Sequence, residues 1–132
     1  MDKIFNTISI VIGLIGGFLC NLLGGGDILL KTIVIMVILD YATGIIKGIY
    51  EKKLSSEIGF RGILKKFMIF IVIATAWTIQ SLLGGAIALR EIVIMFFIVN
   101  EALSLLENAA VLIPIPDKLK ETLLQLRDKK ED

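Results

Sequence analysis

Four apolar segments follow one another along the chain, separated by short turns rich in glycine or charged residues. They run over residues 4–23, 28–49, 63–83 and 87–113. A helix needs about 20 mainly apolar residues to cross the hydrocarbon core of a bilayer, and each segment is long enough. The pattern predicts an all-α integral membrane protein with four transmembrane helices, or with three if the first or fourth segment lies in the interface. Because further spans follow it, the first segment is expected to be retained rather than cleaved as a signal peptide.

Polar side chains interrupt the second and fourth segments at positions that a bilayer disfavours. Asp40 follows seven apolar residues, Ile33–Leu39, and a second polar stripe begins at Asn100. A carboxylate at membrane depth is costly unless it is paired or faces water or protein. Helical spacing places the polar residues of each segment on one face. The candidates for a pore lining or an inter-helix polar stripe are Asp40, Thr43, Lys47, Asn100, Glu101, Ser104, Glu107 and Asn108.

Each stripe also has a simpler interpretation. Asp40 is equally explained by a structural pair with a cation or an amide on another span. The residues from Asn100 to Asn108 also fit an interfacial helix, whose polar groups would lie in the headgroup layer. Both pairs of interpretations stay open on the sequence alone.

Two glycine pairs with GxxxG spacing are candidates for close helix packing. Gly13 and Gly17 lie in the first segment, and Gly44 and Gly48 lie in the second. Small residues at this spacing let two helix backbones approach closely in lipid. The first pair fits either a contact between copies of the chain or ordinary packing against the second segment.

Basic residues concentrate between the second and third segments. Residues 50–66 carry five of them against two acidic residues, so the positive-inside rule predicts a cytoplasmic loop. The five are Lys52, Lys53, Arg61, Lys65 and Lys66. Within this loop Ser55 is a candidate N-cap for a short interfacial helix.

The chain is predicted to consist of one membrane domain, residues 1–116, and a charged tail, residues 117–132. The tail is also predicted to be cytoplasmic and to contain a short amphipathic helix.

Composition excludes several classes of protein. Hydrophobic residues make up 56% of the 132 residues, and the net charge of +1 gives no reason to expect a nucleic-acid partner. One cysteine and no histidine leave no disulfide framework, metal site or nucleophile–base pair, so we expect neither an enzyme nor a cofactor. A membrane unit this small can enclose a sizeable opening only as a homo-oligomer.

Four motifs in order carry a resemblance to a known family. They are residues 39–44 (LDYATG), residues 54–66 with Leu-Ser-Ser, Arg-Gly-Ile and Lys-Lys, residues 100–108 (NEALSLLEN) and residues 114–116 (PIP). Together they resemble the phage-lysis and toxin-secretion holin family of Gram-positive bacteria and their phages. The resemblance implies a protein of the bacterial cytoplasmic membrane that associates with itself in the lipid bilayer. It also implies lesions that release a cytoplasmic endolysin or a toxin as cargo.

Two other functions fit the same residues. In a small oligomeric ion channel or transport accessory protein, the carboxylates would select cations. In a non-conducting membrane scaffold, the polar stripes would only pack helices together. The three functions differ in what crosses the membrane: folded protein, ions or nothing.

Overall fold

The structure, a computed structural model, describes residues 1–128 and consists of five helices joined by short turns. They are α1 (Asp2–Leu22), α2 (Ile28–Tyr50), α3 (Ser56–Leu82), α4 (Leu89–Ala110) and α5 (Asp117–Asp128). No strand occurs in residues 1–128. The predicted all-α class is therefore confirmed.

Three helices, α1, α2 and α3, are long and apolar enough to cross a membrane. The helix α4 has a similar length of 22 residues but is interrupted by ionisable side chains, and it is not among those three. The ionisable residues of α4 are Arg90, Glu91, Glu101 and Glu107. The structure therefore supports three of the four predicted spans by length and apolar character.

The helices α2, α3 and α4 pack around a small apolar core. Side chains at helical spacing on each helix meet there: Leu30, Ile33, Val37, Ile69, Ile73 and Ile94. The opposite faces are apolar as well but exposed, as Ile38, Phe67 and Ile71 illustrate. A bundle that is apolar on its outside suits a lipid environment, where exposed apolar side chains carry no penalty.

None of the residues of the helix α1 is buried. A Cβ atom added at Gly13 or Gly17 would meet nothing within 4 Å. Packing of this glycine pair against the second segment, one of the two predicted alternatives, is therefore absent among the described residues.

The third helix differs from its prediction. Ser55 does cap it, because its side chain accepts a hydrogen bond from the Ile58 amide at 3.2 Å. However, α3 continues unbroken to Leu82, so the prediction of a separate interfacial helix is wrong. A Cβ atom at Gly62 would lie 3.2 Å from the Tyr41 ring. This glycine brings α2 and α3 together and does not end the helix.

The fourth helix is shorter than its segment, and it ends at Ala110, before Pro114. The helix α5 follows and is held to α4 by an ion pair of 3.8 Å between Lys120 and Glu107. The end of the predicted charged tail, residues 129–132, lies outside the described residues.

Candidate functional site: a buried ionic cluster

Three charged side chains from three helices meet inside the bundle. Lys66 of α3 donates hydrogen bonds to Asp40 of α2 and to Glu101 of α4. Their side chains are 19%, 6% and 9% exposed, respectively. Asp40 lies ten residues before the end of α2, which is about 15 Å along the helix axis. We call these three residues the ionic cluster.

Two uncharged side chains complete the hydrogen bonding of Asp40. The amide of Asn108 donates to the Asp40 carboxylate at 3.1 Å and lies 3.3 Å from the Asp40 carbonyl oxygen. The same amide lies 3.1 Å from the hydroxyl of Thr43, which donates to the Asp40 carbonyl oxygen at 2.9 Å. Each carboxylate oxygen of Asp40 thus has a donor.

The ionic cluster continues the faces that form the apolar core. Asp40 lies seven residues after Ile33, and Glu101 lies seven residues after Ile94. Lys66 lies seven residues before the core residue Ile73. Positions seven apart share one side of a helix. Each helix therefore presents one inward face, apolar toward one end and polar toward the α2–α3 loop.

The charges of the ionic cluster do not balance when all three groups are ionised. Two carboxylates share one ammonium, which leaves one excess negative charge among groups that are largely buried. Burying an unbalanced charge is much more costly than burying a neutral pair. The packing of the bundle at this cluster is therefore expected to depend on its charge and its hydration.

A cleft of about 240 Å³ leads to the ionic cluster from the end of the bundle where α2 and α3 are joined. Its lining includes Asp40, Tyr41, Gly44, Gly59, Lys66 and Asn108. The Tyr41 hydroxyl donates to the Gly59 carbonyl oxygen at 3.1 Å and forms one wall. A water molecule occupies roughly 30 Å³ in the liquid, so the cleft has room for several.

The structure brings together only part of the predicted polar stripe. Asp40, Thr43, Glu101 and Asn108 meet, and Ser104 lines the cleft. The remaining three members lie apart: Lys47 and Asn100 are half-buried, and Glu107 is exposed beside Lys120. In a single chain the stripe packs helices and lines a cleft.

The second glycine pair lies at two different contacts. A Cβ atom at Gly44 would lie 3.6 Å from the Asn108 amide nitrogen, so this glycine faces α4 next to the ionic cluster. A Cβ atom at Gly48 would lie 3.2 Å from Leu54 in the loop that follows α2. Gly44 therefore permits the approach of α2 to α4. Gly48 leaves room for Leu54, where the chain turns from α2 back toward α3.

Lys66 is the member of the candidate site whose position the sequence pattern does not predict. The sequence pattern assigns it to the basic loop, whose other four members are exposed: Lys52, Lys53, Arg61 and Lys65. Lys66 instead lies inside α3, with its ammonium turned inward. Its spacing of seven from Ile73 was a signal that could have separated it from its neighbour Lys65.

A second buried charge, Arg90, lies at the opposite end of the bundle. It is 1% exposed, and its guanidinium donates to both carboxylate oxygens of Asp27, at 2.8 and 3.0 Å. It also donates to the carbonyl oxygens of Leu23 and Gly25, at 2.5 and 3.1 Å. The Arg90 backbone amide in turn donates to the side chain of Gln80 at 2.7 Å. We call this arrangement the arginine lock, because it ties the α1–α2 turn to α3 and α4.

Gly24 makes room for the arginine lock. Its φ of +93° belongs to a region that side chains rarely adopt, and a Cβ atom there would collide with the Arg90 side chain. The same atom would lie 2.9 Å from the Trp77 ring, so the only tryptophan of the chain borders the lock. Its fluorescence can therefore report on this end of the bundle.

The arginine lock also sets the ionisation of Asp27. The hydrogen bonds from Arg90 lower the pKa of this carboxyl from its ordinary value of 3.8 to about 2, although burial works in the opposite direction. Asp27 also caps α2, because its carboxylate accepts a hydrogen bond from the Leu30 amide at 3.0 Å. The ionised form of Asp27 therefore stabilises both the arginine lock and the start of α2.

Since the pKa of Asp27 is lower in the folded state, its stabilising effect is complete above pH 4 and disappears as the pH falls to about 2. We expect the free energy of unfolding of the native chain in detergent to decrease over this range relative to Asp27→Asn. Asparagine is a good helix cap but cannot titrate. It removes the charge and one of the two acceptors for Arg90, and neither loss depends on pH. If the free energy of unfolding changed with pH in the same way in both proteins, this expectation would be contradicted.

Comparison with known proteins places the chain in a family. A sequence profile of the bacteriophage holin family matches residues 17–128. An uncharacterized 14.9 kDa protein of Clostridium perfringens is 43% identical over 132 residues, which cover 98% of this chain and 100% of the relative. An uncharacterized protein of Listeria monocytogenes is 38% identical over 110 residues, covering 83% of this chain and 79% of the relative.

A phage protein with a functional name is also similar. It comes from Bacillus phage phi105, is named "Probable holin" and is 30% identical over 95 residues, covering 71% of this chain and 70% of its own length. No solved structure matches the chain. The family profile spans the ionic cluster, the arginine lock and all helices except most of α1. On this evidence, the chain is a membrane protein that belongs to the bacteriophage holin family.

Proposed function

We propose that this protein acts as a holin: copies associate in the bacterial cytoplasmic membrane and open lesions through which a cytoplasmic endolysin or a toxin leaves the cell. The observation that carries the proposal is the division of each helix of the bundle into two faces. The outer faces are apolar, and the inner faces meet at the ionic cluster. Membership of the holin family supports the same function.

A subunit whose helices α2, α3 and α4 are packed together can remain inserted in the membrane without opening it. With the ionic cluster buried and its groups bonded to one another, the surface that faces lipid is formed by side chains such as Ile38, Phe67 and Ile71. Such a subunit can accumulate in the bilayer without exposing charge to hydrocarbon. The membrane thus remains sealed while copies collect.

Opening would require the polar faces to find new partners. If α2, α3 and α4 separate, Asp40, Lys66 and Glu101 must meet water or polar groups of other copies, because lipid cannot solvate them. A ring of copies with these faces toward its centre would provide a hydrated lining. Since one chain has only a small bundle, an opening wide enough for folded protein needs many copies.

The basic residues support one orientation in the membrane. Lys52, Lys53, Arg61 and Lys65 are exposed near the end of the bundle where α2 meets α3. By the positive-inside rule this end faces the cytoplasm. The contact between Lys120 and Glu107 places α5 near the same end, so the C-terminus would be cytoplasmic as well.

The function is tested by expressing the chain in bacteria that already contain a cytoplasmic endolysin without an export signal. A holin should cause abrupt lysis, followed as a fall in culture density, and collapse of the membrane potential should advance it. The matched control is the same culture with a catalytically inactive endolysin, which should stop growing without lysing. Potassium leakage without lysis would indicate a narrow channel. An unchanged culture with confirmed membrane insertion would indicate a scaffold, and either result would contradict the proposal.

A further inference from the structure

Glu101 is the less well satisfied carboxylate of the ionic cluster. Both oxygens of Asp40 accept hydrogen bonds, one from Lys66 and one from Asn108. Within residues 1–128, Glu101 accepts a side-chain hydrogen bond only from Lys66, through Oε2. Because both carboxylates bond the same ammonium nitrogen, they are close enough to repel each other. Carboxylates that share a site in this way do not both remain ionised easily.

The other charged groups near Glu101 do not correct this imbalance. From α2 it faces Asp40, and from α3 it faces Lys66. The neighbouring Lys65 is exposed and only lines the cleft. On α4 itself, Glu107 is exposed and pairs with Lys120 of α5. One cation therefore serves two buried carboxylates, and one additional proton would make the cluster neutral.

The cleft provides a route for that proton. It reaches from the α2–α3 loop to Asp40 and Lys66, and it is kept open where Gly44, Gly59 and Gly62 lack side chains. Asp40 and Lys66 are thus accessible to water from the loop end while α2, α3 and α4 remain packed. Glu101 does not line the cleft and is linked to it by the hydrogen bond from Lys66. The opposite end is occupied by the apolar core and the arginine lock.

We propose that Glu101 is a proton-binding site, loaded through the cleft from the loop side, and that its proton keeps the bundle closed. Lys66, which lines the cleft, passes a proton along its hydrogen bond to a carboxylate oxygen of Glu101. A hydrated proton in the cleft then restores the Lys66 ammonium and leaves its water behind. The ionic cluster then contains a carboxylic acid, the Asp40 carboxylate and the Lys66 ammonium, with no net charge. Loss of the proton to water in the cleft restores the excess negative charge, which favours hydration and separation of the helices. The link to opening rests on the proposed holin function, whereas proton binding does not.

Proton binding is tested directly by infrared spectroscopy of the full-length protein in lipid vesicles. A protonated carboxyl group has a carbonyl band separate from that of carboxylates. We expect this band at neutral pH in the native protein, its loss in Glu101→Gln and its retention in Glu107→Gln. The last variant is the matched control, because Glu107 is an exposed residue of the same helix. Absence of the band in the native protein, or its persistence in Glu101→Gln, would overturn the proposal.

The effect on opening is tested by release of a dye from the same vesicles. Each unit of pH changes the ratio of ionised to protonated Glu101 tenfold, so release should rise by up to about tenfold per pH unit. Glu101→Gln imitates the protonated side chain and should show low release that does not change with pH, while Glu107→Gln should follow the native protein. An infrared band without release from any vesicle would contradict the holin function and leave the proton site standing. Release without the band would contradict the proton site alone.

Discussion

Replacement of Lys66 by methionine is expected to destabilise the bundle by about 3–5 kcal/mol, the range found when one partner of a buried ion pair is removed. The substitution keeps a long apolar side chain but leaves Asp40 and Glu101 facing each other without a cation. The free energy of unfolding can be measured by raising the fraction of denaturing detergent in mixed micelles and following the loss of helix by far-UV circular dichroism.

The preceding residue supplies the matched control. Lys65 lies on the same helix but is exposed, so Lys65→Met should change the free energy of unfolding by no more than about 0.5 kcal/mol. A second control removes the unpaired carboxylates: Lys66→Met combined with Asp40→Asn and Glu101→Gln should recover much of the lost stability. If Lys66→Met were as stable as Lys65→Met, the ionic cluster would have no role in holding the bundle together.

Replacement of Arg90 by methionine is expected to destabilise the other end of the bundle by about 1.5–3 kcal/mol, the range for hydrogen bonds to charged groups. The carboxylate left behind, Asp27, is 46% exposed and stays partly solvated, so the larger cost of a buried unpaired charge does not apply. Arg90 is 1% exposed, and the variant would leave the carbonyl oxygens of Leu23 and Gly25 without this donor. It would also free the turn that connects α1 to α2. The fluorescence of Trp77 should change, because this ring borders Gly24 at the same place.

Lysine is not expected to replace Arg90. The guanidinium reaches Asp27, Leu23 and Gly25 at once with its planar set of donors, whereas a lysine ammonium is a single point of charge. The matched control is Arg61→Met, which removes an exposed pair with Glu57 and should cost less than about 1 kcal/mol. Equal stability of the Arg90 and Arg61 variants would show that the arginine lock does not hold the helices.

The two largest expected effects thus belong to residues that sequence reasoning did not select as a site. The sequence pattern assigns Lys66 to a cytoplasmic loop and assigns no role to Arg90. Both are basic residues close to a segment end, where lysine and arginine side chains usually extend toward the interface. Their burial follows from acidic partners on other helices, which lie 26 and 35 residues from Lys66 and 63 from Arg90.

Part of the architecture follows from local sequence alone. The length and apolar character of the segments predict the helices, because a chain in lipid must satisfy its backbone hydrogen bonds internally. The prediction of Ser55 as a helix cap is correct, and it depends only on a contact with a residue three positions later in the chain. The apolar residues before Asp40 also place its carboxylate at membrane depth. From that position alone, its need for a cation or an amide on another span can be predicted.

Only the tertiary structure decides which groups meet. Periodicity shows which residues share a face of one helix, but not how that face is turned toward the next helix. The orientation of α4 brings Asn108 to Asp40 and Glu101 to Lys66, whereas Asn100 and Glu107 on the same predicted stripe lie apart from them. The sequence by itself therefore determines an α-helical membrane protein with costly charges inside it. The packing of α2, α3 and α4 determines that Lys66 and Asn108 are their partners, since the energy of a buried charge depends on atoms within a few ångströms, whatever their separation along the chain.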